Sequence, residues 1–437
     1  MKNEFSEELK KYEGVCVSAT QFGEPDFWEK TQGFYAVDSH GGKYIDLTSS
    51  YGVCGIGYNS PNVCNAIKEQ CDKLLHSMIE IYPTEVYMKA VKDIVTIFGR
   101  FPECQVILAQ SGSEAIETAL KLCVSYTKRR GIIAFSGAYH GQSLGALSVT
   151  SHNILRQNFY GIINESVIFV PFPNVFRNPY ESEQELLKYT IELIEHYLRD
   201  ENSGGIPIGG IIFEPMQNTS GYIIPPKGFY RALRELADKY KVLLISDEIF
   251  TGCGRCGNWL VLDEENTFAD ITCVGKILGG GQPVAACLAS KNIMESMRSP
   301  ICMALHGGTF MGNPIACVAV SATLQEIKEK NLIKKSYEMG EWFRRNLKEN
   351  LRGTSFSGDI RGKGMATVIE FVIDEKDKKP DPITANDLVD YLYKHKIISL
   401  ITGIPHFNSV AIAPPLIVST DILEFVIETI ISFFKRR

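Results

Sequence analysis

Between about residue 85 and residue 290 the chain alternates short apolar runs with stretches of helical periodicity. Seven runs read as strands: Val106–Ala109, Ile132–Phe135, Val167–Val170, Gly210–Phe213, Leu243–Ser246, Ile271–Val274 and Ala285–Ala289. They are nearly continuous in apolar residues, as expected of strands covered on both faces. Strands alternating with helices predict an α/β architecture with a doubly wound, mostly parallel sheet.

The flanks differ in texture. Residues 1 to about 35 look helical, then irregular. Gly33–Asp38 and Gly41–Leu47 read as a hairpin closed by a glycine turn. Tyr51–Asn59 reads as a flexible glycine-rich loop, after which Asn59 or Ser60 caps a helix with Pro61 in its first turn. Beyond residue 315, helical patterns cover Ile315–Ile327 and Lys335–Leu351, and Ile360–Phe371 turns into a strand. A helix from about Ala385, a short strand near Val410–Ile412 and a final helix follow, the last opening on a capping-box-like Asp421 and Glu424. This predicts an N-terminal segment, 1–55, packed with a smaller C-terminal α+β domain, 315–437, around a large domain, 56–314.

The stretch Val242–Gly281 organises the chemistry. One apolar strand delivers Asp247 and the next delivers Lys276, 29 residues later (276 − 247). Ligands in open α/β sheets sit beyond the carboxyl ends of strands, so an acid and an amine are presented on the ligand side. The pair suits pyridoxal phosphate: a lysine forms a Schiff base with its aldehyde, and a carboxylate keeps the pyridine nitrogen protonated so that the ring is an electron sink. Either residue alone more often caps a helix or faces water.

Other stretches supply the remaining parts. Gln110-Ser111-Gly112-Ser113-Glu114, between a strand and a strong helix, offers backbone N–H groups, hydroxyls and a helix dipole to a phosphate. Taken by itself, it fits plain N-capping better. Tyr139 and His140 follow the next strand, where an aromatic can stack on a flat ring. Glu214 ends the Gly210–Phe213 strand on the same edge. The glycine-rich run His306–Pro314 carries Thr309, which could bind an anion or simply mark a hinge.

Composition narrows the class. At 437 residues, 45% hydrophobic and 22% charged, the chain suits a globular protein of two or three domains. A net charge of −6 offers no basic footprint for nucleic acid and no polybasic membrane patch. No apolar stretch reaches bilayer-spanning length. Twelve scattered cysteines and a charged start, Met1-Lys2-Asn3-Glu4, suggest reduced thiols and a cytoplasmic location. The single CxxC, Cys253–Cys256, has no second pair at metal-site spacing, so its thiols read as incidental.

Taken together, these motifs resemble the class III aminotransferases, the ornithine and ω-amino-acid branch of fold-type I pyridoxal-phosphate enzymes. The likeness runs from Gly41-Gly42-Lys43-Tyr44-Ile45-Asp46 to Pro414-Pro415. It is most specific in Asp247-Glu248-Ile249, Thr251-Gly252, Gly254-Arg255, Gly257 and Asp270-Ile271 through Gly275-Lys276. The resemblance implies a seven-stranded sheet with one antiparallel strand, and it implies roles. Lys276 carries the internal aldimine and shuttles the proton, and Asp247 pairs with the pyridine nitrogen. Ser111, Gly112 and Ser113 hold phosphate. Tyr139 stacks on the ring beside His140, with Glu214 and Ile249 also lining the cofactor. Thr309 reaches the cofactor phosphate of a second copy in a homodimer. The implied reaction moves an amino group from an amine or amino acid to a carbonyl acceptor through a pyridoxamine intermediate. An aminomutase or amino-acid racemase on the same scaffold is the alternative, and a cofactor-binding module without activity is a third reading that intact Lys276 and Asp247 argue against.

The chain departs from that pattern at three positions. Ala411 stands where ornithine- and 4-aminobutyrate-type members carry a carboxylate-gripping arginine, and Thr219 stands where they carry its neutralising glutamate. An unpaired buried charge is costly, so joint loss is coherent. Phe250 replaces a residue that is polar in some members. The substrate is therefore expected to bind without the usual arginine, or through a different one, with Arg255 and Arg361 as weak candidates.

Overall fold

The computed structural model describes residues 8–14, 28–199, 205–301 and 304–436. Its centre is a seven-stranded sheet: β1 (Cys104–Ala109), β2 (Gly131–Phe135), β3 (Val167–Val170), β4 (Ile208–Phe213), β5 (Leu243–Glu248), β6 (Ile271–Val274) and β7 (Ala285–Ser290), in the order β1-β7-β6-β5-β4-β2-β3. Every neighbouring pair is parallel except those made by β7, which runs antiparallel to β6 and β1. All seven strands coincide with apolar runs read from the sequence, because a strand covered on both faces leaves no polar positions to confuse the pattern. β2, β4, β5 and β6 are buried at every position. The helix Gly112–Thr127 packs on one face of the sheet, and the helices Glu183–Arg199 and Phe229–Tyr240 pack together, the latter against β5.

Two four-stranded sheets flank this unit. One joins Trp28–Gln32, Tyr35–Asp38 and Lys43–Asp46 to the late strand Ile397–Ile398, which pairs parallel to Lys43–Asp46. The expected hairpin is thus present, with an additional strand before it. Most of the N-terminal stretch expected to be helical lies outside the described residues. The other sheet contains Gly358–Lys363, Ala366–Phe371, Ser409–Ile412 and Leu400–Thr402. The single strand expected over 360–371 is a hairpin: Gly364, at φ +50°, turns the chain back, and any Cβ there would lie 2.5 Å from the Arg255 carbonyl. The helices Pro314–Glu329, Leu332–Leu351, Pro382–Lys394 and Thr420–Lys435 cover this end of the molecule. The last starts from Ser419, and Ser60 likewise precedes the helix Pro61–Cys71 without a side-chain cap; its hydroxyl donates instead to Glu326. None of the described helices is long and apolar enough to cross a membrane.

The segment after Asp247 stitches these parts together. Glu248 is buried and accepts from the Val261 amide at 2.7 Å and from the Thr251 hydroxyl. Burial pushes its pKa up to about 8. Arg255 is fully buried and donates to the Pro414 carbonyl at 2.6 Å, the Met365 carbonyl at 3.2 Å and Ser49 Oγ at 3.2 Å. Three segments distant in sequence therefore meet on one guanidinium, which is rigid and rich in donors.

The helix Leu332–Leu351 reaches this junction only because residue 340 is glycine. A Cβ at Gly340 would sit 1.7 Å from the Gly364 carbonyl oxygen, closer than any relaxation of a flexible side chain could relieve. Gly340→Ala is expected to lose about 2 kcal/mol or more of stability through overpacking. Urea unfolding that leaves the midpoint unchanged would contradict this packing.

Candidate active site

The carboxyl ends of the parallel strands open into a cavity of about 440 Å³. It is lined by Ser111, Gly112, Ser113, Tyr139, His140, Glu214, Asp247, Ile249 and Lys276, so nine of the ten residues singled out from the sequence meet there. Thr309 does not line it. It is exposed and lies in a separate depression with His76, Met78 and Glu80.

Asp247 lies near the end of β5, 5% exposed. The His140 ring lies against it, with Nδ1 at 2.7 Å from Asp247 Oδ2. A carboxylate only accepts, so Nδ1 carries the hydrogen. The second oxygen, Oδ1, accepts from the Ile249 amide at 3.1 Å. His140 lines the cavity beside Tyr139, and its contact fixes the carboxylate.

Lys276 lies two residues beyond β6, after Gly275, and adopts φ +47°. That left-handed conformation costs a lysine on the order of 1–3 kcal/mol, and such strain concentrates at functional sites. Desolvation lowers its pKa from the ordinary lysine value to about 8, and the charges of Asp247 and Glu214 hold it from falling further. Glu214 is 5% exposed, and its two oxygens accept from the Tyr139 amide at 2.9 Å and the Asn218 amide at 3.1 Å. Burial pushes its pKa up to about 7, with His140 opposing and Asp247 reinforcing the shift.

The opposite wall is the N-terminus of the helix Gly112–Thr127. Ser111 Oγ accepts from the Glu114 amide at 3.2 Å, so the capping seen in the sequence is real and coexists with an opening onto the cavity. Ser113 Oγ accepts from the Gln142 amide at 3.2 Å. This approach requires glycine at position 141, where a Cβ would come within 2.1 Å of that oxygen.

Pyridoxal phosphate fits this donor set. A helix N-terminus with two hydroxyls suits its phosphate, a carboxylate its ring nitrogen, Tyr139 and Ile249 its ring, and a depressed-pKa lysine its aldehyde. Two buried polar atoms of the cavity lining, Gln110 Nε2 and His140 Nε2, have no hydrogen-bond partner among the described residues.

A second cavity, about 190 Å³, adjoins the first through the shared walls Asn218 and Phe250. Ala411 and Thr219 both line it. Arg255 and Arg361 line neither cavity. Arg361 is committed elsewhere, donating to the Gly221 carbonyl at 2.5 Å and pairing with Glu370 at 2.7 Å. Phe250 stands with its ring centroid 4.7 Å from Lys276 Nζ and 5.3 Å from the Tyr222 ring.

The loop expected to be flexible begins with an ordered turn. Ser49, Ser50, Tyr51 and Gly52 have φ of 50°, 49°, 57° and 84°, a single left-handed turn. Such a turn costs about 1–2 kcal/mol per non-glycine residue. It is held by Gly52 N donating to Thr48 O at 2.8 Å, Ser49 Oγ to Ala413 O at 2.7 Å, and Tyr58 Oη to Asp46 at 2.7 Å. Gly52 is required by Phe250, whose ring a Cβ would meet at 2.9 Å. Sequence reasoning missed Asn218, Tyr222 and this turn as wall residues. The glycines around Tyr51 were the available signal, but they also suit a mobile loop.

Comparison with known proteins agrees with this geometry. Residues 19–434 match the family model described as aminotransferase class-III. An alanine/serine racemase of Pyrococcus horikoshii is 31% identical over 91% of this chain and 83% of its own length. A leucine/methionine racemase of Thermococcus litoralis is 30% identical over 87% and 84%. A 5-aminovalerate aminotransferase of Pseudomonas aeruginosa is 30% identical over 91% and 90%. Among solved structures, an aminotransferase of Bacillus anthracis superposes with a TM-score of 0.90 at 25% identity, covering 100% of this chain and 98% of that one. The chain belongs to the class III aminotransferase family of pyridoxal-phosphate-dependent, fold-type I enzymes.

Proposed function

We propose that this enzyme moves an amino group between an amine or amino acid and a carbonyl acceptor, with Lys276 as the residue that handles both the cofactor and the proton. The observation that carries the reading is the convergence of Lys276, Asp247 and the Ser111–Ser113 helix start on one cavity. When bound, pyridoxal phosphate supplies an aldehyde for covalent attachment and a ring that absorbs an electron pair.

The chain's own residues do the rest. Ser111, Gly112 and Ser113 hold the phosphate, and Tyr139 and Ile249 confine the ring. Asp247 faces the ring nitrogen and keeps its proton in place, with His140 preventing the carboxylate from turning away. Glu214 orients the Tyr139 backbone, and with burial raising its pKa to about 7 it adds only part of a second negative charge near neutral pH. Lys276 Nζ, whose pKa desolvation lowers to about 8 in the chain alone, would be the base that takes the proton from the amine-bearing carbon of the substrate and the acid that gives it back to the bound pair when the amino group has moved. Thr309 completes the phosphate site of a second copy in a homodimer. The exposed apolar side chains near it, Met78, Ile301, Leu305 and Phe310, support that assembly. Carboxylate recognition does not use the customary arginine, since position 411 is alanine. Residues 1–55 act with the 315–437 domain, a reading supported by the pairing of Ile397–Ile398 with Lys43–Asp46.

A second reading, inversion of an amino-acid centre, is favoured by the two racemase relatives. It uses the same lysine and cavity. The donor half-reaction separates the two. With one amine donor and no acceptor, transfer converts the cofactor absorbance band in one stoichiometric turnover and releases one equivalent of carbonyl product. Catalytic inversion of an amino acid without carbonyl release would contradict transfer and establish the second reading.

Two further outcomes follow from the assigned roles. Asp247→Asn keeps the shape but removes the charge at the ring nitrogen, and is expected to lower turnover about 10³-fold; near-wild-type turnover contradicts the role. In cofactor-free protein, acylation of Lys276 followed by peptide mass spectrometry should rise with pH through a midpoint near 8. The neutral amine is the reactive form and is populated above the depressed pKa, so a midpoint near 10 contradicts the desolvated site.

A further inference from the structure

We infer that the second cavity is a side-chain chamber, and that it selects amino substrates carrying an uncharged, branched-aliphatic or phenyl-sized group. This inference rests on the proposed handling of the substrate amine at Lys276 and names the substrate class that reading leaves open.

The chamber's walls decide its chemistry. They are Leu47, Tyr222, Phe250, Leu400, Ile404 and Phe407, with Ala411 and Ala413 where larger side chains would fill the space. Among the described residues no acidic or basic side chain lines it. Of its polar side chains, the Thr219 hydroxyl lies 2.7 Å from His152 Nε2, Thr402 Oγ1 donates to the Thr219 carbonyl and Thr48 Oγ1 accepts from the Ser50 amide, while Tyr51 is exposed and Asn218 and Tyr222 contribute one amide and one phenol hydroxyl. His152 is itself buried, and burial lowers its pKa to about 4, so it brings no charge to the chamber at neutral pH. A space with few free polar partners holds water poorly, and an apolar cavity of about 150 Å³ admits a benzene ring. The 190 Å³ here is of that order.

The walls are also fixed in place. The Thr219 carbonyl accepts from Thr402 Oγ1 at 3.0 Å and from the Gly403 and Ile404 amides at 3.1 Å each. These bonds draw the 402–407 loop over the chamber. Arg361 holds the floor by donating to the Gly221 and Tyr222 carbonyls. Phe250 is wedged between Gly52 and Tyr222 and is the partition shared with the lysine cavity. A substrate whose amine reaches Lys276 thus has an apolar slot beside its reacting carbon, and a pre-formed slot discriminates without reorganisation.

The test uses the holoenzyme with L-alanine, L-leucine, L-phenylalanine, L-glutamate and 3-methylbutylamine, read as the second-order rate of change of the cofactor band. Calorimetric binding of 4-methylpentanoate and propanoate to cofactor-free protein gives a readout independent of turnover. Leucine and phenylalanine are expected to exceed alanine and glutamate by about 30-fold or more, the scale of a few methylenes in an apolar pocket. 3-Methylbutylamine separates the side-chain term from any carboxylate term and should keep most of the preference. Ala411→Phe narrows the chamber and should cut the leucine-to-alanine ratio, and 4-methylpentanoate binding, about tenfold. Should that variant not fold, Phe407→Ala, which opens the exposed rim, should lower the same ratio about fivefold. Amines that all react with no side-chain preference, or a ratio unchanged in both variants, overturn the chamber while leaving amino transfer intact. If no amine alters the band yet 4-methylpentanoate binds and Ala411→Phe weakens it, the chamber stands and the transfer reading falls.

Discussion

A lysine nitrogen drawn out of water is costly to keep charged, and this molecule is arranged around one. The amine of Lys276 sits among protein atoms with Asp247 and Glu214 as its nearby carboxylates. Desolvation wins over those charges, and its pKa settles near 8 instead of the ordinary lysine value. Glu214 helps set the balance, because its own burial raises its pKa to about 7 and moderates its pull.

That balance depends on placement, and placement comes from the parallel strands. β5 delivers Asp247 and the end of β6 delivers Lys276, adjacent strands in register from Ile245 with Ile271 to Glu248 with Val274. The remaining walls come from further along the chain and are tied in by a few donors. Arg255 joins the Ser49 turn to the Pro414 and Met365 carbonyls. The Thr219 carbonyl gathers the 402–404 segment. Lys276, Ser49, Ser50 and Tyr51 all lie in left-handed backbone. That strain is offset by the packing of the surrounding sheets, which leaves a rigid cavity where a lone loop would have been mobile.

The central sheet was legible because its strands are buried on both faces, so their apolar runs stand out against amphipathic helices. Nine site residues were legible because they fall at strand ends and a helix start, positions where sequence order and spatial order agree. Three features were not. The 358–371 hairpin turns at Gly364, where the Gly362-Lys363-Gly364 turn signal is overshadowed by the apolar run Met365–Ile369 that follows. The left-handed turn at Ser49–Gly52 rests on hydrogen bonds from Ser49 to Ala413 and between Ser50 and Tyr58 that local sequence cannot encode. The pairing of His140 with Asp247 joins residues 107 positions apart and is set by the order of β2, β4 and β5. Ala411 and Thr219 were visible as departures, but that they open onto one apolar space emerges only when the two sheets are brought together.

The central claim is that one particular amine out of the chain's many lysines bonds to the cofactor. Borohydride reduction of the holoenzyme, followed by proteolysis and peptide mass spectrometry, tests this most directly. The account predicts a pyridoxyl group on the peptide bearing Lys276, and its loss in Lys276→Ala. A pyridoxyl group on a different lysine, or none after reduction of cofactor-loaded protein, would contradict it.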